Sequence, residues 1–324
     1  ICKKNKMLNV GVVGCGHLGK IHIQLIVKSS QFNLSGIYDS NIEISKSVAN
    51  EFSCKYYENI DKLFSEIDAL IVVTPTPYHY KYAKKAIDLG IHTFIEKPVC
   101  SNLEDSAELL KISKSKNIKI QVGHVERFNS AYRAVKDEIN NPMFIESHRL
   151  AKFNPRGTDV SVVLDLMIHD IDIILSCVNS KIKYISSSGV SIISKSPDIA
   201  NARIEFENGC VANLTASRVS LKNMRKTRIF QKGKYISIDF LKKESEVVEV
   251  DNGTDKIPIS TLKLNDGQKK DIYYSKPIVK ENNAILDELE SFANSINKNT
   301  KPEVDIVDGH NALKIALKII NEFK

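Results

Sequence analysis

In the first 123 residues, short apolar runs alternate with amphipathic stretches. The run from Leu8 to Val13 has the composition of a buried parallel strand, and the apolar positions within residues 18–26 suit one face of a helix. Because the connections between such elements are short, the pattern predicts an α/β fold with a doubly wound parallel sheet. Further strands are predicted over 33–38, 68–74, 91–95 and 118–122, and further helices over 78–89 and from Ser101, with Glu104 completing a capping box.

Beyond residue 124 the pattern changes to longer strands separated by turn residues. Asn208-Gly209 is a typical hairpin turn, and Lys232-Gly233 interrupts another apolar run. The pattern predicts a second domain over 124–324, of the α+β class, with a large open antiparallel sheet that covers a cofactor or a partner subunit. Its strands are predicted over 143–153, 181–193, 200–207, 210–219 and 227–240, and its helices over 129–139, 160–178, 282–297 and 307–323.

A glycine-rich turn follows the first strand. Gly14, Gly16 and Gly19 lie between the predicted strand and helix, where glycine allows a tight turn and lets backbone N–H groups approach a pyrophosphate. A glycine triplet alone is a weak signal, but Asp39 ends the second predicted strand twenty residues after Gly19, where a carboxylate binds both ribose hydroxyls of an adenosine. The combination predicts a dinucleotide-binding Rossmann domain over 1–123. Asp39 would repel a 2′-phosphate and no basic residue follows it before Lys46, so NAD is favoured over NADP.

Three other turns follow predicted strands, so we expect them at the same edge of the sheet as the glycine turn. They are Thr74-Pro75-Thr76, Glu96-Lys97-Pro98 and Gly123-His124. Beside a nicotinamide, Lys97 would hold a substrate hydroxyl or accept its proton. Taken alone, Lys97 is an ordinary turn lysine.

The predicted helix over 160–178 carries polar residues within an otherwise apolar stretch. Asp165, His169 and Asp172 are spaced i, i+4 and i+7, which places them on one face of a helix. One interpretation is a core ion pair between Asp165 and His169. A metal site lacks a third ligand at a supporting spacing, so no metal is predicted. The functional interpretation is an imidazole oriented by a carboxylate, which takes the proton of an alcohol.

Composition narrows the class of protein. Of the 324 residues, 42% are hydrophobic and 26% charged, which is ordinary for a soluble globular protein of two domains. The six cysteines form no Cys-x-x-Cys pair, so the sequence predicts a reducing, cytoplasmic location. The first apolar run ends in the glycine turn without a cleavage site, and no uninterrupted apolar stretch is long enough to span a membrane, so neither a signal peptide nor a membrane span is predicted.

The net charge of +7 is concentrated in one segment. Residues 208–238 contain seven basic residues and no acidic one, which suits an anion such as a sugar nucleotide. The alternatives are a solvated face or a subunit contact. Only Phe230 and Tyr235 are interleaved aromatics, so nucleic acid is not expected as a partner. The basic residues are Arg218, Lys222, Arg225, Lys226, Arg228, Lys232 and Lys234.

Over essentially its whole length the chain resembles the Gfo/Idh/MocA family of oxidoreductases. The resemblance rests on the glycine turn, on Glu96-Lys97-Pro98 after the strand predicted over 91–95 and on Asp165-x-x-x-His169. It implies that Lys97, Asp165 and His169 form the catalytic group, and that the segment from Thr74 to His79 lies beside the cofactor. The cofactor-binding residues implied are Gly14, Gly16, His17, Leu18, Gly19, Asp39, Thr74, Pro75, His79, Glu96 and Lys97.

Three finer motifs, over 122–129, 155–160 and 225–231, are similar to a bacterial branch of that family that oxidises UDP-N-acetylglucosamine to a 3-keto sugar nucleotide. The first two motifs also occur in relatives of undefined substrate. An inositol, polyol or simple-sugar dehydrogenase and a non-catalytic sensor of NAD or sugar nucleotide therefore stay open, as does the choice of Lys97 or His169 as base. We expect a homo-oligomer through the C-terminal sheet. The substrate-binding residues expected are His124, Arg127, Arg156, Asp165, His169, Arg218, Arg225 and Arg228.

Overall fold

The computed structural model describes residues 6–153, 160–251 and 257–323, which form two compact units. One unit comprises Ile1–Val125 and Asn283–Lys314, and the other comprises Glu126–Asn282 and Ile315–Lys324. The chain therefore returns to the first unit near its end, whereas the predicted second domain was one continuous stretch from residue 124. How functions divide between the two units stays a prediction.

The first unit is built on a parallel sheet of five strands, in the order β2-β1-β3-β4-β5. Because the order reverses between β1 and β3, the carboxyl ends of these two strands border the crevice where this kind of sheet binds its ligand. The predicted parallel sheet is confirmed. The strands are β1 (Leu8–Val13), β2 (Phe32–Tyr38), β3 (Ala69–Val72), β4 (His92–Glu96) and β5 (Ile120–Gly123).

Among the described residues, six α-helices have their full length in the first unit and cover its sheet. The helix after Ser101 is capped by Asn102, whose side chain accepts the N–H of Asp105, so the cap lies one residue later than predicted. The helices are α1 (His17–Lys28), α2 (Ile42–Phe52), α3 (Ile60–Phe64), α4 (His79–Asp88), α5 (Leu103–Lys116) and, near the end of the chain, Ala284–Asn297.

The helix Ala284–Asn297 joins the first unit because its apolar face completes that unit's core. Leu289 and Phe292 are fully buried in one cluster with Val10, Ile26 and Phe94. The rings of Phe94 and Phe292 meet edge to face, with centroids 6.1 Å apart. The free energy gained by burying these side chains against β1 and α1 explains why this helix belongs to the first unit although it is distant from that unit in sequence.

The second unit contains a nine-stranded sheet in the order β13-β14-β12-β11-β10-β6-β9-β8-β7. The predicted large antiparallel sheet is confirmed, with one exception: β6 and β9 run parallel, whereas every other described pair runs antiparallel. The strands are β6 (Phe144–Leu150), β7 (Ile182–Val190), β8 (Ile199–Phe206), β9 (Val211–Ser217), β10 (Met224–Gln231), β11 (Lys234–Asp239), β12 (Glu244–Asp251), β13 (Ser260–Lys263) and β14 (Lys269–Ser275).

The helical elements of the second unit are shorter than predicted. The segment predicted over 129–139 contains only α6 (Ser130–Arg133) and a 3₁₀ turn at Lys136–Glu138. The helix predicted over 160–178 starts with a π-helical segment, Val163–Met167, and continues as α7 (Ile168–Cys177). Numbered in chain order, Ala284–Asn297 is then α8, and α9 (Ile306–Asn321) begins in the first unit and ends in the second. Among the described residues, no helix is both long and apolar enough to cross a membrane.

Candidate active site

The glycine turn is shaped by two close backbone approaches. Gly14 has a φ of +97°, and a Cβ on it would come within 2.5 Å of the Val73 carbonyl oxygen. A Cβ on Gly19 would collide with the carbonyl oxygen of Gly14. By contrast, nothing lies within 4 Å of a Cβ built on Gly16, so that side of the turn faces open space.

Helix α1 presents its first turn at this open side. Gly16 is its N-cap, no side chain caps it, and its first turn contains no acidic residue. Helix N-termini leave backbone N–H groups unsatisfied and carry partial positive charge, so this end suits an anion. The arrangement fits the pyrophosphate of a dinucleotide.

Asp39 lies at the end of β2 with its carboxylate fixed beside the turn. Its Oδ2 accepts the N–H of Cys15 (2.8 Å), and its Oδ1 accepts the N–H of Asn41 (2.9 Å). The side chain is half-exposed, so the carboxylate also has lone pairs directed to solvent. Its geometry therefore leaves room for two ribose hydroxyls to donate.

A cavity of about 570 Å³ runs along this edge of the sheet. Every residue expected to bind the cofactor lines it except Gly19, which packs against Gly14. The Thr74 hydroxyl is buried there and has no hydrogen-bond partner among the described residues, so a polar ligand in the cavity would satisfy it. The cavity therefore fits a bound dinucleotide in its shape, in the open N-terminus of α1 and in the Thr74 hydroxyl that lacks a partner among the described residues.

His79 holds two of the lining turns together. Its Nδ1 lies 2.9 Å from the Pro98 carbonyl oxygen and its Nε2 lies 2.8 Å from the Thr74 carbonyl oxygen. The ring is 1% exposed, and burial lowers its pKa. Its contacts fix the shape of the cavity wall, and direct contact between His79 and the cofactor stays a prediction.

Lys97 and Glu96 lie at the end of β4, and both line the cavity. The peptide bond between Lys97 and Pro98 is cis. The Glu96 carboxylate bonds His22 of α1, a residue that the sequence reading did not single out. Its signal in the sequence was a polar residue directly before Ile23, on a face of the helix that otherwise buries only apolar residues and a glycine. His124, 1% exposed, follows β5 in the same unit.

In the second unit, Asp165 lies in the π-helical segment and His169 at the start of α7, and both side chains are half-buried. Asp172 was expected on the same helix face as Asp165 and His169. It is not a candidate site residue, because it is 1% exposed and binds Arg127. Nε and Nη2 of Arg127 donate to its two oxygens at 2.6 and 2.9 Å. Arg127 thus anchors α7, and its predicted contact with substrate stays a prediction.

A second buried arginine anchors the same helix. Arg149 of β6, 3% exposed, donates to both oxygens of Asp170 at 3.0 and 2.9 Å and to Glu126 at 2.9 Å. Burial lowers the pKa of Arg149, but the two carboxylates raise it further, and the net pKa lies above its usual value. Arg149 therefore holds α7, the helix that carries His169, against the sheet, while Arg127 binds the same helix from the 3₁₀ turn Val125–Phe128.

The predicted basic cluster does not form on one face of the sheet. Arg225 pairs across the strands with Arg149 and lies 3.6 Å from Glu126, on the face that α7 covers. Arg228 pairs with Glu146 and binds it at 2.9 Å on the opposite face, because side chains alternate along a strand. Arg218 is 6% exposed, and its Nη2 donates to the Val160 carbonyl at 2.5 Å.

Two further expectations concern Arg156 and a metal site. Arg156, expected to bind substrate, lies outside the described residues. Within the described ranges, no group of three or more His, Cys, Asp and Glu side chains is arranged to hold a metal ion.

Two family models match consecutive parts of the chain. The model described as oxidoreductase family, NAD-binding Rossmann fold, matches residues 8–124. The GFO/IDH/MocA C-terminal domain matches residues 121–235. The glycine turn and Asp39 both fall within the first match, so the expected cofactor, NAD, is confirmed.

Individual relatives agree with the family models. The UDP-N-acetylglucosamine 3-dehydrogenase of Acidithiobacillus ferrooxidans is 33% identical over 314 residues, which cover 96% of this chain and 96% of that protein. A solved structure of such an enzyme from the same species has a TM-score of 0.88 at 32% identity, covering 98% of this chain and 97% of that one. The scyllo-inositol 2-dehydrogenase (NAD(+)) of Bacillus subtilis is 30% identical over 230 residues, or 64% of this chain and 67% of that protein. The chain belongs to the Gfo/Idh/MocA family of oxidoreductases.

Proposed function

We propose that this protein oxidises the 3-hydroxyl of UDP-N-acetylglucosamine with NAD as hydride acceptor. The observation that carries the proposal is that Lys97 lines the same cavity as the glycine turn and Asp39, so a proton-handling side chain lies where the dinucleotide binds. Near full-length similarity to an enzyme named for this substrate supports the choice of sugar.

Each proposed catalytic residue has a separate task. NAD, when bound, supplies the acceptor for the hydride that leaves the sugar carbon. The His169 imidazole takes the hydroxyl proton, and Asp165 orients the ring and stabilises its charged form. The Lys97 ammonium donates a hydrogen bond to the hydroxyl oxygen and stabilises the developing alkoxide.

Single variants test whether His169 and Lys97 both take part in the reaction. We expect Lys97→Ala and His169→Ala each to lower kcat by about 10² to 10⁴, because general acid–base groups supply that much rate. Affinity for NAD is retained in both. Lys81→Ala is the matched control, since Lys81 also lines the cavity but has no assigned task. Near-normal kcat in His169→Ala would give the base role to Lys97.

For the diphosphate of the substrate, we propose Arg225 and Arg218, together with Arg156. Arg225 is half-exposed, at 49%, on the face of the sheet that bears α7. Arg228 lies on the opposite face and becomes the control. Arg225→Ala is expected to raise KM for UDP-N-acetylglucosamine in a salt-dependent way, while Arg228→Ala leaves it unchanged.

A substrate panel tests the proposal directly. NADH formation is measured with UDP-N-acetylglucosamine, other UDP-sugars, free sugars and inositols. Preference for UDP-N-acetylglucosamine supports the assignment, whereas preference for an inositol favours the activity named for the B. subtilis relative. Binding of NAD and sugar nucleotide without turnover of any substrate would favour a sensor.

We also propose that the open face of the nine-stranded sheet binds a second copy of the chain. Cross-strand pairs on that face form one apolar row over five strands, and Phe230 and Tyr274 in it are 39% and 42% exposed. Such a row is typical of an interface. Phe230→Lys is expected to dissociate the oligomer in sedimentation velocity, while Leu221→Lys, at a side chain 93% exposed in a turn, leaves it intact. The row consists of Phe144, Phe230, Tyr235, Val248 and Tyr274.

We infer a cytoplasmic location from cysteine chemistry. The five cysteines among the described residues are all free thiols, three of them buried, and free thiols persist in reducing compartments. Fractionation of the cells that make the protein tests this location.

A further inference from the structure

His22 is a buried imidazole that the proposed reaction does not use. It lies on α1, is 0% exposed, and its ring centroid is 5.6 Å from that of Phe94. Its Nε2 lies 2.8 Å from Oε1 of Glu96, and its Nδ1 has no hydrogen-bond partner among the described residues. A polar ring buried this completely requires a compensating interaction, and Glu96 provides it.

The partners of the ring assign its tautomer. A carboxylate only accepts, so Nε2 carries the proton and donates to Glu96. We therefore assign the hydrogen bond between the two side chains as Nε2–H of His22 donating to Oε1 of Glu96.

Glu96 is held from three directions. Its Oε1 accepts from His22, its Oε2 accepts the backbone N–H of Lys97 at 3.1 Å, and Gly123 of β5 packs so closely that a Cβ there would lie 2.8 Å from Oε2. Burial raises the pKa of Glu96, but the hydrogen bond and charge interaction with His22 and the charge of Lys97 lower it further, so the net pKa lies below its usual range. The titratable groups that interact with this carboxylate among the described residues include His22 on α1, Lys97 beside it and His79 on α4.

We propose that His22 is a positioning residue for Lys97 and acts through Glu96. By fixing the carboxylate, His22 connects the helix that follows the glycine turn to the turn that carries Lys97. A fixed anion beside Lys97 stabilises its ammonium, the form that donates to the substrate hydroxyl. The role in catalysis rests on the proposed function of Lys97, whereas the coupling between His22, Glu96 and Lys97 does not.

Two substitutions at His22 separate hydrogen bonding from folding. His22→Gln keeps an N–H donor at about the position of Nε2, while His22→Leu keeps bulk and loses the donor. Ile26→Ala is the control for stability, because Ile26 is fully buried on the same helix and remote from the cavity lining. Glu96→Gln removes the charge itself.

The first readout needs neither cofactor nor substrate. Acylation of Lys97 is followed by peptide mass spectrometry as a function of pH, because only the neutral amine reacts. In Glu96→Gln we expect the midpoint to move to lower pH, because the ammonium has lost the anion beside it. In His22→Leu we expect a smaller shift in the same direction, because the Glu96 carboxylate remains but is no longer held in place by His22. His22→Gln and Ile26→Ala should keep the midpoint of the unaltered protein.

The second readout is steady-state kinetics. His22→Leu is expected to lower kcat tenfold to a hundredfold with a smaller change in KM, because a displaced catalytic group loses rate rather than binding. The alkaline limb of its kcat profile should move to lower pH, and His22→Gln should restore both. An unmoved acylation midpoint in His22→Leu overturns the inference, whatever the kinetics. A moved midpoint together with full activity in Lys97→Ala keeps the coupling and refutes the proposed role of Lys97.

Discussion

Replacing Asp170 with alanine should destabilise the protein far more than removing an acid from a surface pair. Arg149 is 3% exposed and makes three charged hydrogen bonds, two of them to Asp170. Without Asp170, its charge stays buried with Glu126 as the remaining carboxylate. Breaking a buried pair costs roughly 3–5 kcal/mol, and because Glu126 retains one bond we expect about 3 kcal/mol for Asp170→Ala.

The matched control is Glu146→Ala, which removes the partner of Arg228. That pair has a similar distance, 2.9 Å, but its side chains are 46% and 33% exposed. Exposed pairs contribute about 0–1 kcal/mol, so the control should change the free energy of unfolding by less than 1 kcal/mol. Replacing both members, as Arg149→Met with Asp170→Leu, removes the unpaired Arg149 charge. It should recover only part of the loss, because buried Glu126 then loses its hydrogen bond from Arg149.

Urea unfolding at neutral pH, without cofactor and at one protein concentration, measures these differences. The midpoints of unfolding report differences in stability only if the slope m, the dependence of the unfolding free energy on urea concentration, is the same in all variants. A loss below 1 kcal/mol in Asp170→Ala, equal to that of the control, would refute the reasoning. It would mean that water or Glu126 satisfies Arg149 as well as Asp170 does.

Three further predictions concern other parts of the molecule. Asp39→Ala should narrow the preference for NAD over NADP, since the ribose bonds and the phosphate repulsion are lost together, and a titration in which the unaltered protein prefers NADP would contradict it. Burial raises the pKa of Asp198, but the three backbone N–H groups that its carboxylate accepts lower it further, so the net pKa lies below its usual range. The ionised Asp198 therefore stabilises the folded protein above about pH 4, and this contribution is lost in acid. The stability difference between the protein and Asp198→Asn should accordingly shrink as pH falls below 4, and a constant difference would contradict the assignment. Burial raises the pKa of the Cys15 thiol to about 12, so iodoacetamide at pH 8 should label Cys15 much more slowly than a cysteine in an unfolded peptide.

The nucleotide site was predictable because its signals are local. A tight turn that requires glycine and a carboxylate at the end of the next strand both follow from spacing along one βαβ unit. The structure accordingly places Gly14, Gly16 and Asp39 around one cavity. Strands β13 and β14 were missed because they are polar and largely exposed, and β12 because its acidic residues interrupt the apolar alternation.

The second unit shows what sequence could not supply. Arg225 and Arg228 are close in sequence but lie on opposite faces, because they are an odd number of residues apart on one strand. Arg127 and Arg149 find Asp172 and Asp170 through contacts distant in sequence, which no local pattern encodes. The π-helical segment before α7 likewise has no signal in an apolar run.

The most direct test of the proposed activity is the transfer of the hydrogen itself. UDP-N-acetylglucosamine carrying deuterium at sugar carbon 3 is incubated with the protein and NAD, and the NADH and the sugar nucleotide are analysed by mass spectrometry and NMR. The account predicts deuterium at nicotinamide carbon 4 in amounts equal to the 3-keto product, and almost none with His169→Ala. NADH without deuterium, or no NADH from this substrate while an inositol is oxidised, would contradict it.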